Sequence, residues 1–273
     1  MFYLERASVV ATLVVLGLIV DTFLQLPTWT RDLTVLGSPL SLSISQTVLF
    51  SALLMGITCT GTDVIVRSHP TAQRIEARYS FVTWTLPALT VLLATVLLPQ
   101  APTLLYQMAG FVLTGLVLIL VISAEYYTVD PGDRQYPAAR LGLNMWAYLL
   151  AAVVFVVIYS ARARSLLSAT AVTVVSTLLA LEFLRGAGRD FGRTALYAAI
   201  AGLSTGEIIW AMNYWRIQGV TGGLILLLGF YVATGLANQQ LQGRLTRRVL
   251  VEYAIVALIG LAVLLRVQAV EPI

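Results

Sequence analysis

The sequence contains no lysine, a single histidine and a single cysteine. Without lysine, the chain cannot form a Schiff base with retinal or pyridoxal phosphate. His69 alone cannot supply the paired axial imidazoles of a membrane haem or a histidine-rich metal site. Cys59 alone permits no intrachain disulfide and no thiolate-bound cluster. We therefore expect the chain to hold no metal and no covalent cofactor.

Charged residues are also scarce, at 11% of the chain, whereas apolar residues make up 59% and the mean hydropathy is +0.87. Soluble domains carry about 25% charged residues, so both an ordinary soluble fold and a disordered chain are excluded. Arginine supplies all 17 basic residues. In a membrane protein this excess follows from the positive-inside rule, so we expect the lipid bilayer and other membrane chains as partners, and no nucleic acid.

Apolar runs long enough to cross a bilayer recur along the whole chain. They predict an all-α polytopic membrane bundle of about nine transmembrane helices, forming a single domain over residues 1–273. The second run is the least apolar. Arg6 precedes the first run without a small-residue cleavage pattern, so we expect no cleaved signal peptide and a multi-pass protein of the cell membrane. The predicted spans are 7–27, 42–62, 80–99, 103–124, 141–160, 165–184, 194–213, 218–238 and 249–267.

Arginine placement predicts the orientation of these spans. With a cytoplasmic N-terminus, twelve arginines fall on the cytoplasmic side and five on the other. The connection at 99–102 carries none. The asymmetry favours a cytoplasmic N-terminus and an outward C-terminus.

Catalytic motifs are weak. Gly202 and Gly206 flank Ser204 but are better explained as a small face that lets a neighbouring helix approach closely, and the same holds for Gly219 and Gly223. The segment from Asp130 to Asp133 is Asp-Pro-Gly-Asp, which is typical of a turn. We expect no catalytic residue in these motifs.

Acidic residues inside the spans need a physical reason, because a carboxylate at a helix centre costs roughly 2.5–3.5 kcal/mol. Asp63, Glu125, Glu182 and Glu252 fall near cytoplasmic helix ends, where we expect water and arginines to anchor them. Asp21 and Glu207 instead lie in the outer halves of their spans, at similar depth. They form the core of a candidate intramembrane polar site.

A helical wheel places Glu207 on a small and polar stripe of the seventh span, which we expect to face the bundle interior. The stripe comprises Tyr197, Ala201, Ser204, Glu207, Ile208 and Ala211. Glu207 is then expected to be protonated or partnered, with Ser204, Asn213, Gln46, Asp21 or Arg216 as candidates. The candidate site therefore consists of Asp21, Glu207, Ser204, Gln46 and Asn213.

Three functions remain open. The absence of a ligand set, of a catalytic constellation and of long loops favours a non-catalytic accessory or scaffold subunit of a membrane protein complex. The alternative is a small transporter in which Asp21 and Glu207 couple to a proton or cation. A membrane enzyme acting on a lipid or polyprenyl substrate is the third, with Asp32 and Glu207 as its acids.

Overall fold

The computed structural model describes residues 2–35, 38–74, 80–186, 190–215 and 217–270. Helices dominate these ranges, and 3₁₀ turns cover Ser80–Trp84 and Leu98–Gln100. The α-helices are α1 (Phe2–Phe23), α2 (Gln46–Arg67), α3 (Pro70–Arg74), α4 (Thr85–Leu97), α5 (Leu104–Tyr127), α6 (Tyr136–Ser160), α7 (Ser165–Leu184), α8 (Phe191–Met212), α9 (Gly219–Leu241) and α10 (Arg247–Val270).

Nine helical segments within the described ranges are long and apolar enough to cross a membrane. They confirm the predicted all-α polytopic class, including the weakly apolar second span, which is Gln46–Arg67. Ser45 caps this helix by accepting a hydrogen bond from the Val48 amide. The first span runs from Tyr3 to Phe23 and so lies closer to the N-terminus than the predicted span 7–27. The orientation of the termini stays a prediction.

A β-hairpin joins α1 to α2, where the sequence predicts only turns. Strands β1 (Trp29–Val35) and β2 (Ser38–Ile44) pair in antiparallel fashion, with Trp29 opposite Ile44 and Val35 opposite Ser38. Leu40, Leu42 and Ile44 alternate with polar residues, which is the period of a strand. A hydropathy pattern that reveals long apolar runs does not reveal this short alternation.

The chain divides into two compact units, Met1–Leu143 and Asn144–Ile273, and the boundary falls inside α6. In the first unit, helices α1, α2, α4 and α5 pack around an apolar core. Apolar side chains at helical spacing bury one stripe of each helix and leave the rest for lipid. The core includes Val14, Leu18, Leu54, Val91, Phe111 and Leu118.

In the second unit, α7 and α8 approach closely through the glycines that the sequence identifies. A Cβ atom on Gly202 would lie 2.8 Å from the Thr173 carbonyl oxygen, and one on Gly206 would collide with the Thr173 side chain. The predicted small-residue face is confirmed here. Gly223 plays the same part in α9, where a Cβ would lie 2.6 Å from the Cα of Val156 on α6.

Helix α10 is the least covered span. None of the residues in its apolar window is buried. It packs on α9, where Leu228 lies against Gly260 and the Tyr231 and Tyr253 rings are 5.8 Å apart. Most of its apolar surface is therefore available to lipid or to another chain.

Candidate functional site

Asp21 is held by Gln46, the first residue of α2. The Gln46 side-chain amide donates to Oδ1 of Asp21 at 2.8 Å and also to the Asp21 carbonyl oxygen. Its Oε1 accepts from the backbone N–H of Leu26 at 2.9 Å. Asp21 is buried, with 7% of its surface exposed. These bonds tie the end of α1 to the start of α2 across the base of the hairpin.

Asn213 also links two helices. It caps the C-terminus of α8, and its side-chain amide donates to the Ser168 hydroxyl of α7 at 2.9 Å. Ser204 is half-buried in the middle of α8. Each of these groups belongs to the second unit, whereas Asp21 and Gln46 belong to the first.

Glu207 is exposed on α8. The expectation that its stripe faces the bundle interior is wrong for Glu207 and Ala211, which are both exposed, although Ala201 is buried. The helix buries the adjacent face instead, because Gly202 and Gly206 allow α7 to come closer there than any side chain would permit. Close backbone approach outweighs the burial of a mixed polar stripe.

Three of the other acids in the spans pair with arginines one helical turn away, as predicted. Asp63 meets Arg67 at 2.7 Å, Glu182 meets Arg185 at 3.1 Å, and Glu252 meets Arg248 at 3.0 Å. The prediction of water access is wrong for two acids. Glu182 is 1% exposed and Glu125 is fully buried.

Glu207 differs from all of these acids. No hydrogen bond or ion pair reaches its side chain from the residues that the structure describes. Arg216, a predicted partner, lies outside the described residues. Above and below Glu207 on the same exposed face are Trp210 and Leu203, which are each 56% exposed. An acid thus interrupts an otherwise apolar surface.

A second polar group, which sequence reasoning missed, lies at the start of α1. The Tyr3 ring stacks on Tyr126 at 4.6 Å, and its hydroxyl is hydrogen-bonded to that of Tyr127. His69 meets the Tyr126 ring edge-on at 4.7 Å. We call Tyr3, His69, Tyr126 and Tyr127 the tyrosine–histidine cluster. These residues are far apart in sequence and individually typical of a membrane interface, so spacing could not reveal them.

The loop after α5 completes the surroundings of the cluster. Asp130 Oδ1 accepts from the Gly132 N–H at 2.9 Å, and Oδ2 accepts from the Thr71 hydroxyl at 3.1 Å. These two bonds, with His69 nearby, hold the pKa of Asp130 below its usual value. The Thr71 N–H donates to Nδ1 of His69. The predicted turn is confirmed, and the loop and cluster together fasten helix ends.

Comparison with known proteins identifies a family. A family model described as a protein of unknown function, DUF5656, matches residues 26–267. The chain belongs to the DUF5656 family. No curated protein and no solved structure matches it. The description of the DUF5656 family assigns no activity.

The matched stretch of this DUF5656 chain contains four residues of the candidate polar site. These are Gln46, Ser204, Glu207 and Asn213, whereas Asp21 precedes the stretch. No group of three His, Cys, Asp or Glu side chains suited to a metal ion occurs among the described residues. The bond between Asp21 and Gln46 joins α1 to α2, and the bond between Asn213 and Ser168 joins α8 to α7. Glu207 alone of the site is presented outwards.

Proposed function

We propose that this protein is a non-catalytic integral subunit of a membrane protein complex, in the cell membrane, and that it acts by packing against another membrane chain. The observation that carries the proposal is the exposure of Glu207 on an apolar face of α8. We call this face the α8 seam. It consists of Leu196, Ile200, Leu203, Glu207 and Trp210.

The position of Glu207 makes lipid a poor neighbour. It lies five residues before Met212, the last residue of α8, which is about 7–8 Å along the helix axis. A carboxylate facing hydrocarbon costs up to roughly 2.5–3.5 kcal/mol at the centre of a span and less towards its ends. A protein partner that offers a polar group removes this cost. Acids in membrane spans are accordingly found against protein or water.

The transporter alternative has less support. It needs Asp21 to be available to a proton or cation, but the Asp21 carboxylate accepts a hydrogen bond from Gln46, which also ties down the adjacent backbone. The enzyme alternative needs Asp32, whose side chain lies outside the described residues. Neither alternative explains why an acid faces outwards among leucine, isoleucine and tryptophan.

Site-directed photo-crosslinking in native membranes tests the proposal. In a Cys59→Ala background, a benzophenone maleimide is attached to a single cysteine at Leu203 in the α8 seam. Leu113 of α5 is the matched control, because it is a leucine of similar exposure, 62% against 56%. We expect a discrete adduct with another protein from position 203 and lipid adducts alone from position 113.

The yield of the protein adduct from position 203 should also depend on Glu207. Glu207→Leu keeps the fold, since its side chain is exposed, and we expect it to reduce the adduct from position 203 several-fold. Lipid adducts alone from both positions, or a cross-link within one copy of the chain, would contradict the proposal.

A further inference from the structure

The groups that bond the other acids in the spans indicate the chemistry of the partner that Glu207 requires. On the described helices, Asp63, Glu182 and Glu252 each have an arginine three or four residues away on the same helix. Asp21 has the amide of Gln46. These four acids are thus matched with donors, and three of them with cations. Among the described residues Glu207 has no such donor, so its match has to come from outside α8.

Helix α8 itself offers Glu207 no cation. The positions three and four residues away are Leu203, Ser204, Trp210 and Ala211, and only these positions lie beside Glu207 on the helix surface. Ser204 is a neutral hydroxyl. We infer that the α8 seam receives a membrane-spanning helix of another protein that carries one arginine or lysine at the depth of Glu207. This inference rests on the proposed function, because it names the chemistry of the partner at the same seam.

Charge complementarity favours a cation over a neutral donor. A basic side chain within a span is costly in lipid for the same reason as Glu207. Pairing the two across an interface removes both penalties at once, and it fixes the register and the choice of partner. The leucines and Trp210 around Glu207 exclude water from the contact, which strengthens the attraction.

A second copy of this chain fits less well. Arg266 is an exposed basic residue of the second unit, on α10. However, Ile208 packs on Gly229 of α9, and Leu228 packs on Gly260 of α10. These contacts place Glu207 near the level of Gly260. Arg266 lies six residues further along α10, about 9 Å away along the axis. Two copies related by an axis along the membrane normal would instead bring two Glu207 carboxylates to the same depth.

Designed peptides test the inference with a defined probe. Three 24-residue leucine–alanine transmembrane peptides carry arginine, leucine or glutamate five residues from one end. Their association with the purified full-length chain in phosphatidylcholine vesicles is measured by energy transfer. We expect the arginine peptide to associate about tenfold more strongly than the leucine peptide. We expect this preference to be lost in Glu207→Leu and reversed towards the glutamate peptide in Glu207→Arg.

The outcomes separate this inference from the proposed function. Equal association of the arginine and leucine peptides, or an arginine preference that persists in Glu207→Leu, overturns the inference. Energy transfer between copies of the chain alone that depends on Glu207 overturns it in favour of a homo-oligomer. A protein adduct at position 203 without an arginine preference leaves the proposed function standing. If the arginine peptide is preferred but position 203 gives no protein adduct in native membranes, the proposed function fails. Only the charge complementarity between the α8 seam and a basic helix then stands.

Discussion

Asp21 and Glu207 lie near the C-terminal ends of α1 and α8, yet only Asp21 has a hydrogen-bonding partner among the described residues. The difference arises from the connection that leaves each helix. After α1 the chain forms a hairpin and returns with Gln46, which reaches back to Asp21. After α8, the Asn213 side chain reaches Ser168 of α7 and not Glu207. Among the described residues, the Asp21 carboxylate thus receives a donor from the segment that follows its helix, whereas Glu207 receives none and is exposed.

The orientation of α8 should be the hardest feature to alter. In Gly206→Leu the new side chain would meet Thr173 and the backbone of α7, so we expect a loss of about 3 kcal/mol or more of unfolding free energy. Thermal unfolding followed by circular dichroism in a mild detergent measures this. The control is Leu203→Ala on the exposed face, where we expect a change within about 0.5 kcal/mol. Equal stability of the two variants would mean that α8 does not bury its glycine face.

Removal of Gln46 should have the next largest effect. Gln46→Ala leaves the buried Asp21 carboxylate without its donor and the Leu26 N–H without its acceptor, so we expect a loss of about 2–3 kcal/mol. The same unfolding assay measures it, and amide exchange at Leu26 should accelerate. Gln100→Ala is the control, because that exposed glutamine bonds only within its own turn. If both glutamine variants behave alike, Gln46 does not hold the connection.

The spans were predictable because each is a run of about 20 apolar residues, a signal that depends on local composition alone. The sixth span is Ser165–Leu184, as predicted. The α1–α2 hairpin was not predicted, since it rests on a seven-residue alternation around Leu40 and Leu42. Short alternations are overlooked when the search is for long runs.

The candidate site was predictable in part. Asp21 and Glu207 are recognisable in the sequence as acids within apolar runs, and their depth in the membrane stays a prediction. Gln46 and Asn213 were predicted as candidate partners of Glu207, but among the described residues Gln46 bonds to Asp21 and Asn213 to Ser168. Which face of α8 turns inward was not predictable, because the polar stripe and the glycine face both offered an interior surface. The choice depends on how closely α7 can approach at Gly202 and Gly206, which is a property of packing.

Replacing each acid by its amide should show directly that Asp21 has a partner in the chain and that Glu207 has none among the described residues. Asp21→Asn leaves one side-chain oxygen where the buried acid has two to accept from Gln46, so we expect a loss of about 1–2 kcal/mol in the isolated chain. Glu207→Gln should change the stability of the isolated chain by less than about 0.5 kcal/mol, because no described residue contacts its side chain through a hydrogen bond or ion pair. Chemical denaturation of the two variants in parallel measures both. A loss in Glu207→Gln as large as in Asp21→Asn would show that Glu207 has a partner within the chain.

The smallest effect concerns Asp130, an acid of the loop after α5 that, unlike Glu207, does have partners. Its folded-state pKa is lowered, chiefly by the Gly132 N–H and then by the Thr71 hydroxyl. A lowered pKa contributes stability that is present above the unfolded-state value of about 4 and is lost as the pH falls through the folded-state value.

Asp130→Asn keeps an oxygen acceptor for the turn but removes the titration. We therefore expect its melting temperature to lie slightly below that of the wild type at pH 6–7 and the two values to converge below about pH 4. Thr71→Val removes one of the two donors, so its curve should fall between them. Melting temperatures recorded from pH 3 to pH 7 decide the matter. Parallel curves for all three proteins across that range would show that the loop does not favour the charged carboxylate, and Asp130 would then resemble Glu207 in lacking an effective partner.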